Sequence, residues 1–429
     1  MLRNLLNFQG SVFQHRNNII YYLLLGGLML FLLKPGVNVP FVVRAGLMFL
    51  VLFPAFSRPE YLPFCMTCMV GISSNSFYQI VPTDPGIYLV IIIILYINYK
   101  KRSGFFLNAF AIYFIFLLFS LVHGDFPTFL SWGLVAVILA DFIKEKKDIN
   151  NLMLAFIVLS FILSLLFLLY RDQFTVDYGV DYGRLDEQLE RAYWTNSNRF
   201  GAAIAAGGVM AVVYLSGLLQ IEKKRALTFL SIGTIVLVFP TLVFNASRGA
   251  FLAFILASSL AVVFSKMRTD VKVTLIVISA FLIYNMYMGS DMFELLRARV
   301  ESDNTETAGG RTTIWQRKLS AFSAYDVATQ LVGIGRSACV HLGGYISTHN
   351  DFLTAFIGYG YFGLILFSML MAYPLFYAPR RLKKVVLVLS VYMVIECFVL
   401  EPFFRGYLFF LMFYIFTLRF VMIEKKSPS

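Results

Sequence analysis

Apolar runs of roughly 17–22 residues recur along almost the whole chain, and this constrains the fold more than any other feature. Each run is long enough to cross a hydrocarbon core of ~30 Å as a helix. The runs are too long and too uniformly apolar for barrel strands, which alternate inside and outside residues. The chain has 429 residues, 59% of them hydrophobic and 14% charged. Its mean hydropathy is +0.75. The expected fold is all-α, a polytopic helical membrane protein.

The predicted spans are 18–34, 39–56, 60–78, 86–99, 104–122, 127–144, 150–170, 197–219, 226–244, 248–266, 271–289, 351–376, 383–400 and 406–423. This gives 14 transmembrane helices, or 12 if an early pair forms a re-entrant hairpin. The first apolar run, Ile19 to Leu33, lacks a small-residue cleavage pattern and reads as a signal anchor. The short basic loops at 100–102, 144–147, 223–225, 266–268 and 380–384, with the tail Lys425-Lys426, belong on the cytoplasmic side. Both termini then fall in the cytoplasm. The net charge of +12 sits in these loops, and no soluble basic domain is present to hold nucleic acid.

Two segments stand outside this pattern on the opposite side. Residues 171–196 are polar and mixed in charge. Residues 290–350 are too long for a simple connector. Within the second, Thr312 or Thr313 is expected to cap an amphipathic helix with Ile314, Trp315, Leu319 and Phe322 along one face. The organisation expected is an N-terminal transmembrane bundle, 1–170, followed by a catalytic transmembrane region, 171–429, that includes loop 290–350.

Cations and one histidine gather at the ends of spans on the side opposite the basic loops. Ser247 is placed as the N-cap of a helix whose first turn carries Arg248. Free backbone N–H groups at a helix N-terminus favour anions, and an arginine beside them pairs two phosphate oxygens at once. The structural alternative is an interfacial anchor. Arg199 repeats the arrangement in TNSNRFG, where Thr195, Asn196 or Ser197 could cap. Its alternative is an ion pair with Asp186, Glu187 or Glu190. His349 closes the long loop, with Ser347 or Thr348 expected to cap the helix that His349 and Asn350 begin. Histidine is the side chain best suited to accept a proton near neutral pH. His341 is the secondary histidine.

Arg311, which follows Gly309-Gly310, and Arg405, beside Glu401, are further phosphate-binding candidates, together with Asn350 and Arg191. Within the spans, Arg44 and Glu396 stand out. They could pair with each other or with lipid head groups. Cys65 and Cys68 form a CxxC with no further ligands nearby, so they read as apolar filler. No DxD lies in an external loop, and there is no P-loop and no GxSxG. No metal or other cofactor is expected.

Three segments resemble the O-antigen ligase and polymerase superfamily of bacterial surface-glycan enzymes. SRGAFLA is similar to its Ser-Arg-Gly helix start. GGRTTIWQRKLSAF followed by LVGIGRS is similar to its Arg…Trp…Gly-x-Gly loop. STHNDFLTAFIGYGYFGLILF is similar to its His-Asn…Gly-x-x-Gly-Leu segment. TNSNRFG is a looser match, and together they cover residues 195–370. The resemblance implies a metal-independent, GT-C-like glycosyltransferase in the bacterial inner membrane. Its donor would be a glycan on undecaprenyl diphosphate, and its acceptor a sugar hydroxyl on another lipid-linked glycan or on lipid A–core. Membrane lipids and other polysaccharide-assembly proteins are the remaining partners implied. Arg199 and Arg248 would hold the diphosphate, His349 would orient or deprotonate the acceptor, and the loop would cover a site facing the periplasm. Polymerase is slightly favoured over ligase, because several external arginines suit two diphosphate lipids. A lipid-linked glycan flippase is the rival from another class. It would call for an internal repeat and charges lining a central cavity, and neither is evident.

Overall fold

The computed structural model describes residues 139–169, 175–176, 184–185, 197–245, 247–289, 311–343, 348–404 and 408–426, apart from 220–224. Predicted spans 18–34, 39–56, 60–78, 86–99 and 104–122 lie outside the described residues, as do most of 127–144, Arg44, Cys65 and Cys68. The described chain is helical, with one short antiparallel ladder of β1 (Thr175–Val176) and β2 (Arg184–Leu185). The protein is a multi-pass, all-α membrane protein.

Eight helices correspond to predicted spans. They are α1 (Lys146–Leu169), α2 (Ser197–Leu215), α3 (Arg225–Phe244), α4 (Arg248–Phe264), α5 (Thr269–Gly289), α9 (Asp351–Tyr377), α10 (Lys383–Val399) and α11 (Leu408–Lys426). Among the described residues between α5 and α9 lie three shorter helices, α6 (Arg311–Ser323), α7 (Val327–Val332) and α8 (Arg336–His341). By length and hydropathy α1, α3 and α9 are each sufficient to cross a membrane.

The register of the bundle follows from pairs of side chains. The Phe167 and Phe200 rings lie 5.5 Å apart, and Ser160 Oγ donates to the Ala203 carbonyl at 3.3 Å, so α1 and α2 run antiparallel. A Cβ on Gly207 would lie 2.0 Å from Ser160 Oγ and 2.2 Å from the Phe156 carbonyl oxygen. Glycine there lets the two backbones approach, as small residues do where lipid supplies no hydrophobic drive between helices. Tyr392 OH on α10 donates to the Ala202 carbonyl at 2.6 Å, and Tyr414 OH on α11 donates to Leu370 of α9 at 2.9 Å. Met412, Phe413, Phe416, Leu418 and Val421 of α11 are fully buried.

One end of the bundle, here the lower, holds the basic termini of the helices. Lys146 pairs with Glu424 at 2.7 Å, Arg381 donates to the Glu424 carbonyl, and Lys425 lies 4.0 Å over the Tyr377 ring. The upper end holds the first turns of α2, α4 and α9 and the last turn of α10. At the periphery, α5 exposes Val273, Val277, Phe281, Tyr284 and Met288. An apolar helix so exposed is in its proper solvent only when that solvent is lipid.

The long α9 is broken. Tyr359 (φ −129°, ψ 15°) and Gly360 (φ 68°, ψ −166°) leave the helical region, which releases the carbonyls of Ile357 and Gly358. Ile334 N–H and Gly335 N–H donate to them at 3.1 and 2.8 Å. The loop between α7 and α8 therefore replaces the missing intrahelical partners. The break lies in the first third of α9, where the loop between α7 and α8 covers it. Irregular backbone in a membrane helix is tolerated when protein covers it.

Candidate active site

The upper end is built from helix N-termini. α2 and α4 begin side by side: Ser247 Oγ lies 3.4 Å from Asn198 Oδ1, and a Cβ on Gly201 would meet Ser247 Oγ at 2.5 Å. Ser247 is the N-cap of α4, as expected, but its hydroxyl makes no capping bond. It turns instead toward Asn198. The first N–H groups of α4 thus lack the side-chain cap that would compete with an anion. Half-buried Arg248 is the first residue of this helix, and Arg199 lies in the first turn of its neighbour.

The last turn of α10 lies between α4 and α9. A Cβ on Gly249 would be 2.4 Å from Val399 Cγ2, and the Phe398 ring stacks on Phe352 of α9 at 4.8 Å. Arg248 and His349 therefore flank the same helix end. One turn earlier on α10, Glu396 is fully buried, and neither carboxylate oxygen has a hydrogen-bond partner among the described residues. It is within electrostatic reach of Arg311, the first residue of α6. Arg311 is thus the cation identified for Glu396 among the described residues.

His349 does not begin α9. It sits just before it in the left-handed region at φ 50°, which costs about 1–3 kcal/mol for a residue other than glycine. Asn350 is the N-cap, its Oδ1 accepting from Leu353 N–H at 3.1 Å, and the helix starts at Asp351. The expectation of Ser347 or Thr348 as cap is corrected on this point, because the Thr348 hydroxyl has other partners. It bonds to Glu401 Oε1, and Asn350 N–H donates back to it at 3.3 Å across His349. Thr354 Oγ1 donates to the same Glu401 oxygen at 2.6 Å. The Asp351 carboxylate returns the contact, accepting from Phe403 N–H at 3.0 Å and Phe404 N–H at 3.1 Å.

The extramembrane helices are docked on this turn. Trp315 Nε1 donates to the Thr348 carbonyl at 2.7 Å, and the buried Phe322 ring meets Phe356 edge-on at 5.2 Å. α6 starts at Arg311, so Thr312 and Thr313 lie inside the helix and do not cap it. Its buried face also differs from expectation. Lys318 is buried and Leu319 is exposed, because the Lys318 ammonium donates to the carbonyls of Cys339, Val340 and Leu342 at 2.6, 3.0 and 2.9 Å. Burial pulls this ammonium below the usual lysine range, with Cys339 and Glu401 opposing the effect.

The fold thus gathers Arg248, Arg311, His349 and Asn350 at one end of the bundle, with the backbone of Arg199 beside Arg248. Arg191 and Arg405 lie outside the described residues. His341 is exposed at the end of α8. Sequence reasoning missed Glu401, Thr348 and Trp315 as supports of the histidine turn. Thr348 preceding His349 was the available signal.

Residues 233–368 match the family model described as O-antigen ligase. No curated protein matches the chain. The matched stretch contains Arg248, the docked helices α6 to α8 and the His349 turn. With its multi-pass helical fold and that matched segment, the chain is similar to the O-antigen ligase/polymerase superfamily over residues 233–368, and the match supports the resemblance read from the sequence.

Proposed function

We propose that the protein is a membrane glycosyltransferase of surface-polysaccharide assembly. Its donor is a glycan linked to undecaprenyl diphosphate, its acceptor a sugar hydroxyl, and it works at the periplasmic face of the inner membrane with both termini cytoplasmic. One observation carries this reading: the uncapped, arginine-bearing start of α4 and the His349 turn lie on two sides of the last turn of α10. An anion-binding helix end and a proton acceptor side by side are what transfer from a diphosphate requires.

In this mechanism His349 takes the proton of the acceptor hydroxyl as its oxygen attacks the anomeric carbon. The bond from that carbon to the diphosphate oxygen breaks, and undecaprenyl diphosphate leaves as an anion. Arg248 and Arg199 stabilise the charge as it develops, the role a metal ion plays in other transferases. Arg311 and Asn350, with Arg405 and Arg191, bind the remainder of the two substrates. The division into an N-terminal bundle, 1–170, and a catalytic region, 171–429, belongs to the same proposal.

Of the two acceptors, we favour a second lipid-linked glycan, which makes the protein an O-antigen polymerase. Arg248 and Arg311 approach the end of α10 from different helices, which suits two diphosphate lipids. The second reading is an O-antigen ligase that transfers the finished polymer to lipid A–core, in line with the description of the matched family. Gel profiling of surface glycan in a deletion strain decides between them. A single repeat on lipid A–core that becomes a ladder on restoration means polymerase. Loss of all core-linked glycan, with long polymer still on undecaprenyl diphosphate, means ligase. Normal glycan made by both Arg248→Ala and His349→Ala would refute the mechanism.

A further inference from the structure

We propose that Glu401 and Thr348 are positioning residues that set the left-handed turn presenting His349, an inference that rests on the transferase reading above. Glu401 lies beyond the segment matched by the family model, which ends at residue 368. Its carboxylate is buried, with Oε1 bonded to the hydroxyls of both Thr348 and Thr354, one on each side of His349. The Asn350 N–H donates to Thr348 Oγ1 and closes a turn over the histidine. A threonine side chain accepting from the backbone two residues on is an established way to hold a short turn. His349 has no freedom to relax into α9, because Asn350 caps that helix and Asp351 is bound by the Phe403 and Phe404 amides.

The Thr348 hydroxyl is therefore the hub. Its side chain ties the histidine turn to the segment that follows α10, and its carbonyl ties the turn to Trp315 of α6. α6 also carries Arg311 at its first position. The helix that presents a phosphate-binding cation is thus fixed, one turn later, to the residue that orients the proton acceptor. The Trp315 bond to the Thr348 carbonyl thus couples the docking of α6 to the orientation of His349.

Thr348→Val removes the hub hydroxyl with little change in shape. Thr354→Val removes the other bond to the same Glu401 oxygen and the 2.5 Å contact between the two threonine hydroxyls, but keeps the Thr348–Glu401 bond and the Asn350 N–H bond that closes the turn over His349. Both variants, with Thr348→Ser and His349→Ala, would be purified as the full chain in nanodiscs. Transfer would be measured with lipid-linked glycan extracted from the host strain, and binding with undecaprenyl diphosphate as probe. Thr348→Val should bind undecaprenyl diphosphate as the wild type does while turnover falls roughly ten- to hundredfold, the scale of a reacting group misplaced by about 1 Å. Thr348→Ser should restore most of the turnover, and Thr354→Val should lose no more than about threefold. Equal losses in Thr348→Val and Thr354→Val, or full turnover in Thr348→Val, would overturn the proposal. Full turnover in His349→Ala would instead overturn the transferase mechanism on which it rests.

Discussion

Gly360→Ala tests the coupling between the broken membrane helix and the helices docked on it. Gly360 holds φ 68°, and a Cβ there would lie 2.2 Å from the Leu331 carbonyl oxygen and 2.6 Å from that of Gln330. These are backbone atoms and cannot swing aside. With ψ at −166° this backbone conformation is open essentially to glycine alone and costs an L residue about 1–3 kcal/mol. If α7 retreats to make room, the bonds from Ile334 and Gly335 to Ile357 and Gly358 go with it, at about 0.5–1.5 kcal/mol each. The total is roughly 2–6 kcal/mol, taken from the docking of α6 to α8 and not from the bundle. Hydrogen–deuterium exchange in nanodiscs is the direct assay. Peptides within 311–343 should lose protection by roughly thirtyfold or more, while α1, α2 and α11 keep theirs. Transfer should fall in parallel, because Trp315 leaves Thr348. Gly343→Ala is the control: its φ of 69° is similar, but the nearest atom would be 3.5 Å away, so only the conformational cost applies. Equal exchange in wild type and Gly360→Ala would refute the reasoning.

Other perturbations bear on the cations and the caps. Arg248→Lys keeps the charge but loses the planar fork, so donor binding should weaken about as far as the loss of one charge-assisted bond allows, roughly 1.5–3 kcal/mol; undecaprenyl diphosphate affinity at wild-type level would contradict bidentate pairing. Glu396→Gln replaces a fully buried carboxylate that has no hydrogen-bond partner among the described residues, so the melting temperature should hold or rise while the KM for donor changes through Arg311. A large fall in melting temperature would show that the carboxylate stabilises the bundle. Asp326 caps α7, accepting from the Thr329 N–H at 3.0 Å and the Thr329 hydroxyl at 2.8 Å, and these bonds hold its carboxyl below the ordinary value of 3.8. The stabilisation is present above pH 3.8 and is lost as pH falls through the depressed folded value. The melting-temperature gap between wild type and Asp326→Ala should therefore shrink below about pH 4, and a gap that persists unchanged in acid would contradict a charge-assisted cap.

Much of the membrane architecture was legible in the sequence, because each span is a sustained apolar run bounded by charge or by a capping residue. The expected 226–244 and 383–400 are met by Arg225–Phe244 and Lys383–Val399. The docked helices were legible only as a long loop with one amphipathic stretch. α7 and α8 have six residues each, too few for periodicity to register, and the loop between them is held by backbone bonds to a broken helix. The buried face of α6 was misread because Lys318 looks like a surface residue until three carbonyls surround its ammonium. Arg248 and His349 could be picked out because a cation or an imidazole at the end of an apolar run is conspicuous. Glu401 could not, since nothing local tells a carboxylate that binds threonines about fifty residues earlier from one that faces water.

The clasp between the start of α9 and the turn after α10 also orders events in time. Asp351 takes its backbone partners from Phe403 and Phe404, and Thr348 takes its carboxylate from Glu401. A ribosome that has just released residue 351 has yet to make any of them. The apolar half of α9 below the break can enter the bilayer during synthesis, whereas the histidine turn stays unset until the segment leading into the last helix has emerged. Assembly of the His349 turn is therefore a late step of biogenesis, and a nascent chain lacking that segment carries Arg248 and Arg311 without the Glu401 contact that holds the turn.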